Sequence, residues 1–290
     1  MLRILYRGPL VSCNFDCGYC PFGKETMTRQ ELADDAAALE RFVGWASTVD
    51  RPLGVFFTPW GESLVHRHVQ DAMARLSRQP HVERVAIQTN LSCRWDWLED
   101  ADVDSLGIWA TWHPDWMPLE TFTAACATLR EAGVSHSAGI VGMREHLDHA
   151  EALRAALPAS TYVWVNAVKR LDYRDDEIAR LEAVDPLFTL NLRRWPSRGA
   201  SCAAGRDVIS VDGAGDVRRC HFVPQVLGNL YDGTALSALG DRPCPNATCG
   251  CHIGYVHLDG LGLGPVFGDG VLERVPASLP PSHPRIGSHP

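Results

Sequence analysis

Over about the first 190 residues, short β-rich apolar runs alternate with stretches whose apolar positions recur at helical spacing, which predicts βα units around a parallel sheet. LRILYR at residues 2–7 is the first strand. Thr28-Arg29-Gln30-Glu31 reads as a capping box, and Leu32, Ala36, Leu39, Val43 and Ala46 follow on one helical face. GVFFT at residues 54–58 is the second strand, before a helix carrying Val65, Val69, Met73 and Leu76. RVAIQTN (84–90) and LGIWATW (106–112) are the third and fourth strands. A helix from about Leu119, with Phe122, Cys126 and Leu129 on its apolar stripe, ends at Gly133, a residue suited to a left-handed terminal position. VSHSAGIVG (134–142) and TYVWVNAV (161–168) are the fifth and sixth strands. Six such units are too few to close an eight-stranded barrel. Beyond them, RDVISVDGAGDVRRC (206–220) reads as a hairpin about an Asp-Gly-Ala-Gly turn. The segment from about Pro276, PASLPPSHPRIGSHP, reads as an extended or disordered tail whose His283 and His289 lack partners at ligand spacing.

A chain of 290 residues with 46% hydrophobic content can bury one large core and a smaller one beside it. Its net charge of −8 argues against a nucleic-acid partner, since binding phosphates needs a concentrated basic surface. The pairs Arg193-Arg194 and Arg218-Arg219 read as solvated faces without a role. No apolar run approaches the roughly 20 residues of a membrane span, and the start lacks the organisation of a secretory signal. The expectation is therefore a cytoplasmic protein without membrane contact. In that compartment ten cysteines are expected to be reduced, metal-bound or catalytic rather than paired.

Cys13, Cys17 and Cys20, in CNFDCGYC directly after the first strand, are the strongest chemical signal. A C-x3-C-x2-C loop can place three thiolates on three irons of a four-iron, four-sulfur (4Fe-4S) cluster and leave the fourth iron open. A zinc site would need a further Cys or His, and a disulfide framework would suit a short secreted domain. With Tyr19 directly before the last cysteine, the segment resembles the radical S-adenosylmethionine (radical SAM) superfamily. That resemblance implies an α/β fold built on a partial (β/α)6 TIM-type barrel, with working groups at the carboxyl ends of the strands. It also implies that an electron donor such as flavodoxin or ferredoxin reduces the cluster, whose open iron holds the amino and carboxyl groups of S-adenosylmethionine. The 5′-deoxyadenosyl radical released by cleavage then removes a hydrogen atom from the substrate.

Further segments match that family residue by residue. In PWGES, Gly61 and Glu62 are similar to the glycine-glycine-glutamate segment that binds the methionine amino group, with Trp60 in place of the first glycine. Read alone, Glu62 could equally cap the next helix; beside an ammonium in a partly dry pocket an ionised carboxylate is the fitting acceptor. Thr89 and Asn90 look like the family's threonine-asparagine pair and could bind ligand or hold the loop. AGIVGMRE resembles G-x-I-x-G-x-x-E, with Ile140, Gly142 and Glu145 matching and Ala138 replacing the first glycine. The resemblance places Ile140 and Tyr19 near the adenine, although a buried Ile by itself reads as core. His113 and Asn166, at the ends of the fourth and sixth strands, point to where substrate or cofactor would sit, His113 being a candidate catalytic group beside the three cysteines. Cys126 reads as a small apolar side chain, and Cys93 is assigned no role.

Cys202, Cys220, Cys244, Cys249 and Cys251 form a second group. The hairpin can bring Cys202 and Cys220 together, and CPNATCGC adds thiols from a compact loop, enough to close a second metal site; a structural zinc ribbon is the alternative reading. With Gly215 four residues before Cys220 in the intervening sense of G-x4-C, the arrangement resembles the single-cluster twitch form of the superfamily's auxiliary (twitch/SPASM) domains. The expected organisation is a barrel over 1–195, a small cysteine-rich hairpin and helix domain with an auxiliary iron–sulfur cluster over 196–257, and a C-terminal extension over 258–290. Five thiols exceed the four one cluster needs, and the sequence leaves the choice open. For the substrate, a peptide undergoing oxidation or cross-linking is favoured over a small alcohol or aminocyclitol-type metabolite. Because the barrel starts almost directly at the amino terminus, a peptide would call for a separate recognition protein. A non-catalytic electron carrier would have no use for Glu62 or an open iron.

Overall fold

In the computed structural model, which describes residues 1–23 and 25–278, the pattern of short apolar runs becomes a nine-stranded sheet. Its first six strands are β1 (Leu2–Arg7), β2 (Leu53–Phe57), β3 (Val82–Thr89), β4 (Leu106–Trp112), β5 (Ser135–Val141) and β6 (Val163–Asn166), neighbouring in that order and all parallel. Helices α1 (Arg29–Ala46), α2 (Arg67–Ser77), α3 (Leu119–Glu131) and α4 (Leu147–Ala156) carry the crossovers β1–β2, β2–β3, β4–β5 and β5–β6, two short 3-10 helices (Asp96–Asp100 and Val103–Ser105) carry β3–β4, and α5 (Asp175–Val184) follows β6. The capping box forms as read, with Thr28 accepting from the Glu31 N–H and Glu31 from the Thr28 N–H. Gly133 takes φ +80° beyond α3, where a side chain would be strained. Val65 lies outside α2 and is exposed, so the second apolar face begins at Val69.

Strand alternation divides the interior in two. Leu106, Ile108, Ala110 and Trp112 of β4 join Ile4, Val55, Ile87 and Val165 in the core that the helices cover. The intervening side chains, Leu5, Phe56, Ala86, Trp109 and Trp164, line the inside of the curved sheet. That inner face is filled from the carboxyl-terminal part of the chain, by Leu258, Leu263, Phe267 and Leu272. Apolar side chains of the expected extension thus enter the core, while Ala277 and Ser278 are exposed; the rest of the Pro-rich segment, with His283 and His289, lies outside the described residues.

After α6 (Phe188–Leu192) and a two-residue strand β7 (Trp195–Pro196), the hairpin appears as β8 (Val208–Asp212) and β9 (Asp216–Arg218), followed by β10 (Val226–Asn229). It does not stand apart from the barrel. β8 pairs in parallel with β1, on the side opposite β2, so the sheet runs β10-β9-β8-β1-β2-β3-β4-β5-β6. Gly215 has φ +86° in the hairpin turn, and a Cβ there would lie 2.4 Å from the Tyr231 ring, so both conformation and close approach call for glycine. Among the described residues no helix is long and apolar enough to cross a membrane.

Candidate functional site

The loop between β1 and α1 carries Cys13, Cys17 and Cys20 and docks on the loop that follows β2. The Glu62 N–H donates to the Ser12 carbonyl at 3.1 Å, and a Cβ on Gly61 would lie 1.8 Å from that same oxygen. Gly23, at φ +66°, closes the arrangement from the other side, where a Cβ would lie 2.9 Å from the Cys13 Cβ and 3.1 Å from the Gly61 Cα. Gly61 is therefore required by the contact of two backbones.

Glu62 is buried. Its carboxylate accepts from Thr89 Oγ1 at 2.8 Å, from the Leu64 N–H at 3.1 Å and from the Asn90 N–H at 2.5 Å. These bonds stabilise the anion, but loss of water outweighs them and pushes its pKa up to about 7. Two carboxylate oxygens offer about four acceptor positions, so a further donor can still be bound. Asn90 Nδ2 also donates to Asn14 Oδ1 at 3.0 Å, and Asn14 Nδ2 to Ser92 Oγ at 2.8 Å, tying the cysteine loop to the end of β3. Thr89 and Asn90 thus hold Glu62 and the cysteine loop in place.

His113, just beyond β4, meets the same loop. Its Nδ1 lies 2.8 Å from the Tyr19 hydroxyl and 3.3 Å from Cys17 Sγ, and the Tyr19 ring stacks on the imidazole at 5.9 Å. Burial, reinforced by His146, lowers the His113 pKa to about 4, leaving a neutral ring whose Nδ1 can accept from Tyr19. Cys17 is buried, Cys13 and Cys20 are half-buried, and none of the three is in a disulfide. No three Cys, His, Asp or Glu side chains among the described residues converge on a position for a single metal ion. A four-iron cluster sets each thiolate on its own iron, so a loop presenting three thiols outside any disulfide beside a carboxylate with spare acceptor capacity fits that group.

Other expected site residues fall differently. Ile140 is fully buried with Ala138 in the core between sheet and helices, which is the plain reading of its side chain. Gly142 packs against Tyr173 and Val165, and Glu145 is exposed. Asn166 lines a cavity of about 660 Å³ inside the sheet, with Trp109 and Gln88. Cys202, Cys220, Cys244, Cys249 and Cys251 all line this cavity, and Phe22 and Trp60 from the first cysteine loop and its partner border it too. The cavity thus runs from the second cysteine group to Phe22 and Trp60 at the edge of the first site, while Cys13, Cys17 and Cys20 do not line it.

Several residues here carried no sequence signal. Arg7 lies over the Trp60 ring at 4.0 Å, and Lys169 donates to the Asn191 carbonyl. Arg219, read as solvated, is only 4% exposed. Arg274, also buried, sits against Trp109 and Trp164 and donates to Asn166 Oδ1 at 2.7 Å. Arginines read as surface by default, and only the tertiary fold reveals these two as interior.

A family model described as Radical SAM superfamily matches residues 9–156. Solved structures share the fold at low identity. A structure of native anSMEcpe with bound AdoMet and Kp18Cys peptide aligns at 12% identity over 81% of this chain and 80% of that one, with a TM-score of 0.55. Streptococcus suis SuiB aligns at 12% identity over 82% of this chain and 65% of that one, with a TM-score of 0.53. No curated protein matches the chain by sequence.

Proposed function

The chain belongs to the radical SAM superfamily, and from that premise we propose that it cleaves S-adenosylmethionine reductively to a 5′-deoxyadenosyl radical that removes hydrogen from a peptide, leading to oxidation or cross-linking. The observation that carries this reading is the docking of the three-cysteine loop directly over the buried Glu62. Cys13, Cys17 and Cys20 would hold a 4Fe-4S cluster, which supplies the reducing electron when loaded. Glu62, oriented by Thr89 and Asn90, keeps an acceptor position for the substrate ammonium of S-adenosylmethionine. Tyr19 and neutral His113 brace Cys17 and shield the loop from water. Asn166 faces the cavity and is fixed by Arg274.

The second cysteine group would hold an auxiliary iron–sulfur cluster across the cavity, where it could take an electron from a substrate radical. A fold neighbour determined with AdoMet and a peptide supports the peptide reading. An electron donor of flavodoxin or ferredoxin type and a separate peptide-recognition protein complete it. A second reading rests on the cavity, since about 660 Å³ is an ordinary size for a small-molecule pocket and suits dehydrogenation of an alcohol or aminocyclitol-type metabolite.

The test is anaerobic reconstitution with iron and sulfide, reduction, and assay of 5′-deoxyadenosine. Wild type is expected to form it and Cys17→Ala to form none; formation by that variant refutes the first site, and a loaded wild type that forms none would be an electron carrier. Peptides and polyols are then supplied separately. Loss of two hydrogens from a peptide, seen by mass spectrometry, supports the first reading, and a ketone product from a polyol the second.

A further inference from the structure

The cavity inside the sheet is bordered by one sign of side-chain charge. Arg7, Lys169, Arg194 and Arg219 line it, and among the described residues no aspartate or glutamate does. The whole chain has the opposite balance, 35 acidic against 27 basic residues. A concave site lined by one sign focuses its field on whatever enters.

Two of these cations stand together. Lys169, in the loop beyond β6, and Arg194, in the link between α6 and β7, flank Gly250, where a Cβ would lie 3.9 Å from Lys169 Cε and 3.3 Å from Arg194 Cγ. Both are exposed although they border the cavity. Lys169 Nζ donates to the Asn191 carbonyl, and Asn191 Oδ1 accepts from the Tyr255 hydroxyl at 3.0 Å, so the Asn191 side chain is held in one orientation. Its Nδ2 is buried and has no acceptor among the described residues. Arg219 repeats the pattern. Its Nη1 donates to the Arg242 and Pro243 carbonyls at 2.8 and 2.7 Å, while Nε and Nη2 are buried without an acceptor among the described residues. Arg7, at the end of β1, donates from Nε to the Thr58 carbonyl at 2.6 Å and carries the positive lining to Trp60.

The cavity thus offers cations and unmet N–H donors with no carboxylate of the chain to meet them. Donors removed from water in this way are costly until an acceptor arrives. A carboxylate brings two acceptor oxygens and makes charge-assisted bonds to ammonium and guanidinium groups. An ammonium group would enter the same space against its own charge.

We propose that the cavity selects its substrate by carboxylate groups, acidic side chains of the peptide near the residue that loses hydrogen, which Lys169 and Arg194 hold with Asn191 donating beside them. This deepens the peptide reading and rests on it. Lys169 and Arg194 are specificity-determining residues, since they hold a part of the substrate that does not react.

The test uses full-length protein reconstituted anaerobically with iron and sulfide and supplied with S-adenosylmethionine and reductant. Three peptide libraries, identical except that their fixed positions are Asp, Asn or Lys, are followed by mass spectrometry for loss of two hydrogens. At limiting concentration wild type modifies the Asp library about tenfold faster than the Asn library, and the Lys library slowest. Lys169→Glu combined with Arg194→Glu reverses the order in favour of the Lys library, which a merely structural role for these residues does not produce; Lys169→Arg keeps the wild-type order. Equal use of the Asp and Asn libraries by wild type, a comparison that needs no variant to fold, or a wild-type order in the double variant overturns the proposal. Protein that forms 5′-deoxyadenosine yet modifies no peptide overturns the peptide reading alone. The charge selection is then decided by binding of a uronate against an aminocyclitol, read from tryptophan fluorescence, Trp109 being part of the wall. Tighter binding of the uronate upholds it, and equal or weaker binding overturns it.

Discussion

Gly61 shows how a single position can be legible as a motif while its reason is not. The sequence marks it as part of a ligand-binding segment; the structure shows a glycine that lets the Ser12 carbonyl reach the chain, where any Cβ would lie 1.8 Å from that oxygen. A backbone clash cannot be relieved by a rotamer change. Gly61→Ala should therefore displace the cysteine loop, lowering thermal stability by about 1–3 kcal/mol and removing the first cluster's iron on reconstitution. Full iron loading at unchanged melting temperature would show that the approach is dispensable. Glu62 was likewise legible as a carboxylate at a strand end, but the roles of Thr89 and Asn90 were not, since a short polar side chain can serve ligand or loop equally well. In the structure these side chains bond to Glu62 and Asn14, which ties them to the carboxylate and to the cysteine loop. Thr89→Val, which keeps shape and removes the 2.8 Å bond to Glu62, is expected to cost about 1–3 kcal/mol in denaturant melts and to weaken S-adenosylmethionine binding measured by equilibrium dialysis.

Elements with local signatures are legible within a residue or two: the capping box of α1, the buried stripe of α3 and the short apolar runs of β1 and β4, buried on both faces, mark themselves. β8 was legible as a strand but not as a neighbour of β1, because parallel pairing between residues so distant in sequence leaves no local mark. The segment after residue 258 gave no periodic signal at all, being made of short turns. It nevertheless carries Glu273 into the sheet, where Ser135 Oγ donates to its carboxylate at 2.9 Å and Gly107 leaves it room. Burial raises the Glu273 pKa above its ordinary 4.5, against the opposing effect of Arg84. The folded state then binds the proton more tightly than the unfolded chain, so this group's contribution is most favourable below its unfolded pKa and declines as pH rises toward the folded value. Glu273→Gln does not titrate. Its stability relative to wild type should improve as pH rises above the ordinary 4.5 toward the raised folded value, read as a change of the melting-temperature difference in the variant's favour. A constant difference across that range would contradict the burial argument.

At the scale of the molecule, a chain with net charge −8 surrounds a cavity whose charged lining residues, Arg7, Lys169, Arg194 and Arg219, are all cationic. Positive charge is thus concentrated around that cavity, and a further buried arginine, Arg274, closes the fold. An open sheet leaves its inner face exposed unless something fills it; here the carboxyl-terminal turns bring Phe267 and Leu272 against Trp109 and Trp164, and Arg274 follows them. The guanidinium sits 4.8 Å from the Trp164 ring and 3.9 Å from Asp185, itself fully buried. Asp185 in turn accepts from the Tyr162 hydroxyl at 2.6 Å and the Val165 N–H at 2.9 Å, at the strand that ends in Asn166. Removing one partner of such a pair leaves an uncompensated interior charge, which costs about 3–5 kcal/mol, more than the hydrophobic loss alone. Arg274→Met should therefore destabilise by about that amount in urea melts. Adding Asp185→Asn should recover much of the loss, because the amide needs no counter-charge while keeping an acceptor for the Val165 N–H. If the two changes instead add, the pair is not coupled, and the stacking of Arg274 on the tryptophans holds the segment in place by itself. The first outcome means that one ion pair couples the closing segment to the strand carrying Asn166, so that sealing the inner face and placing a cavity-lining side chain are a single event in folding.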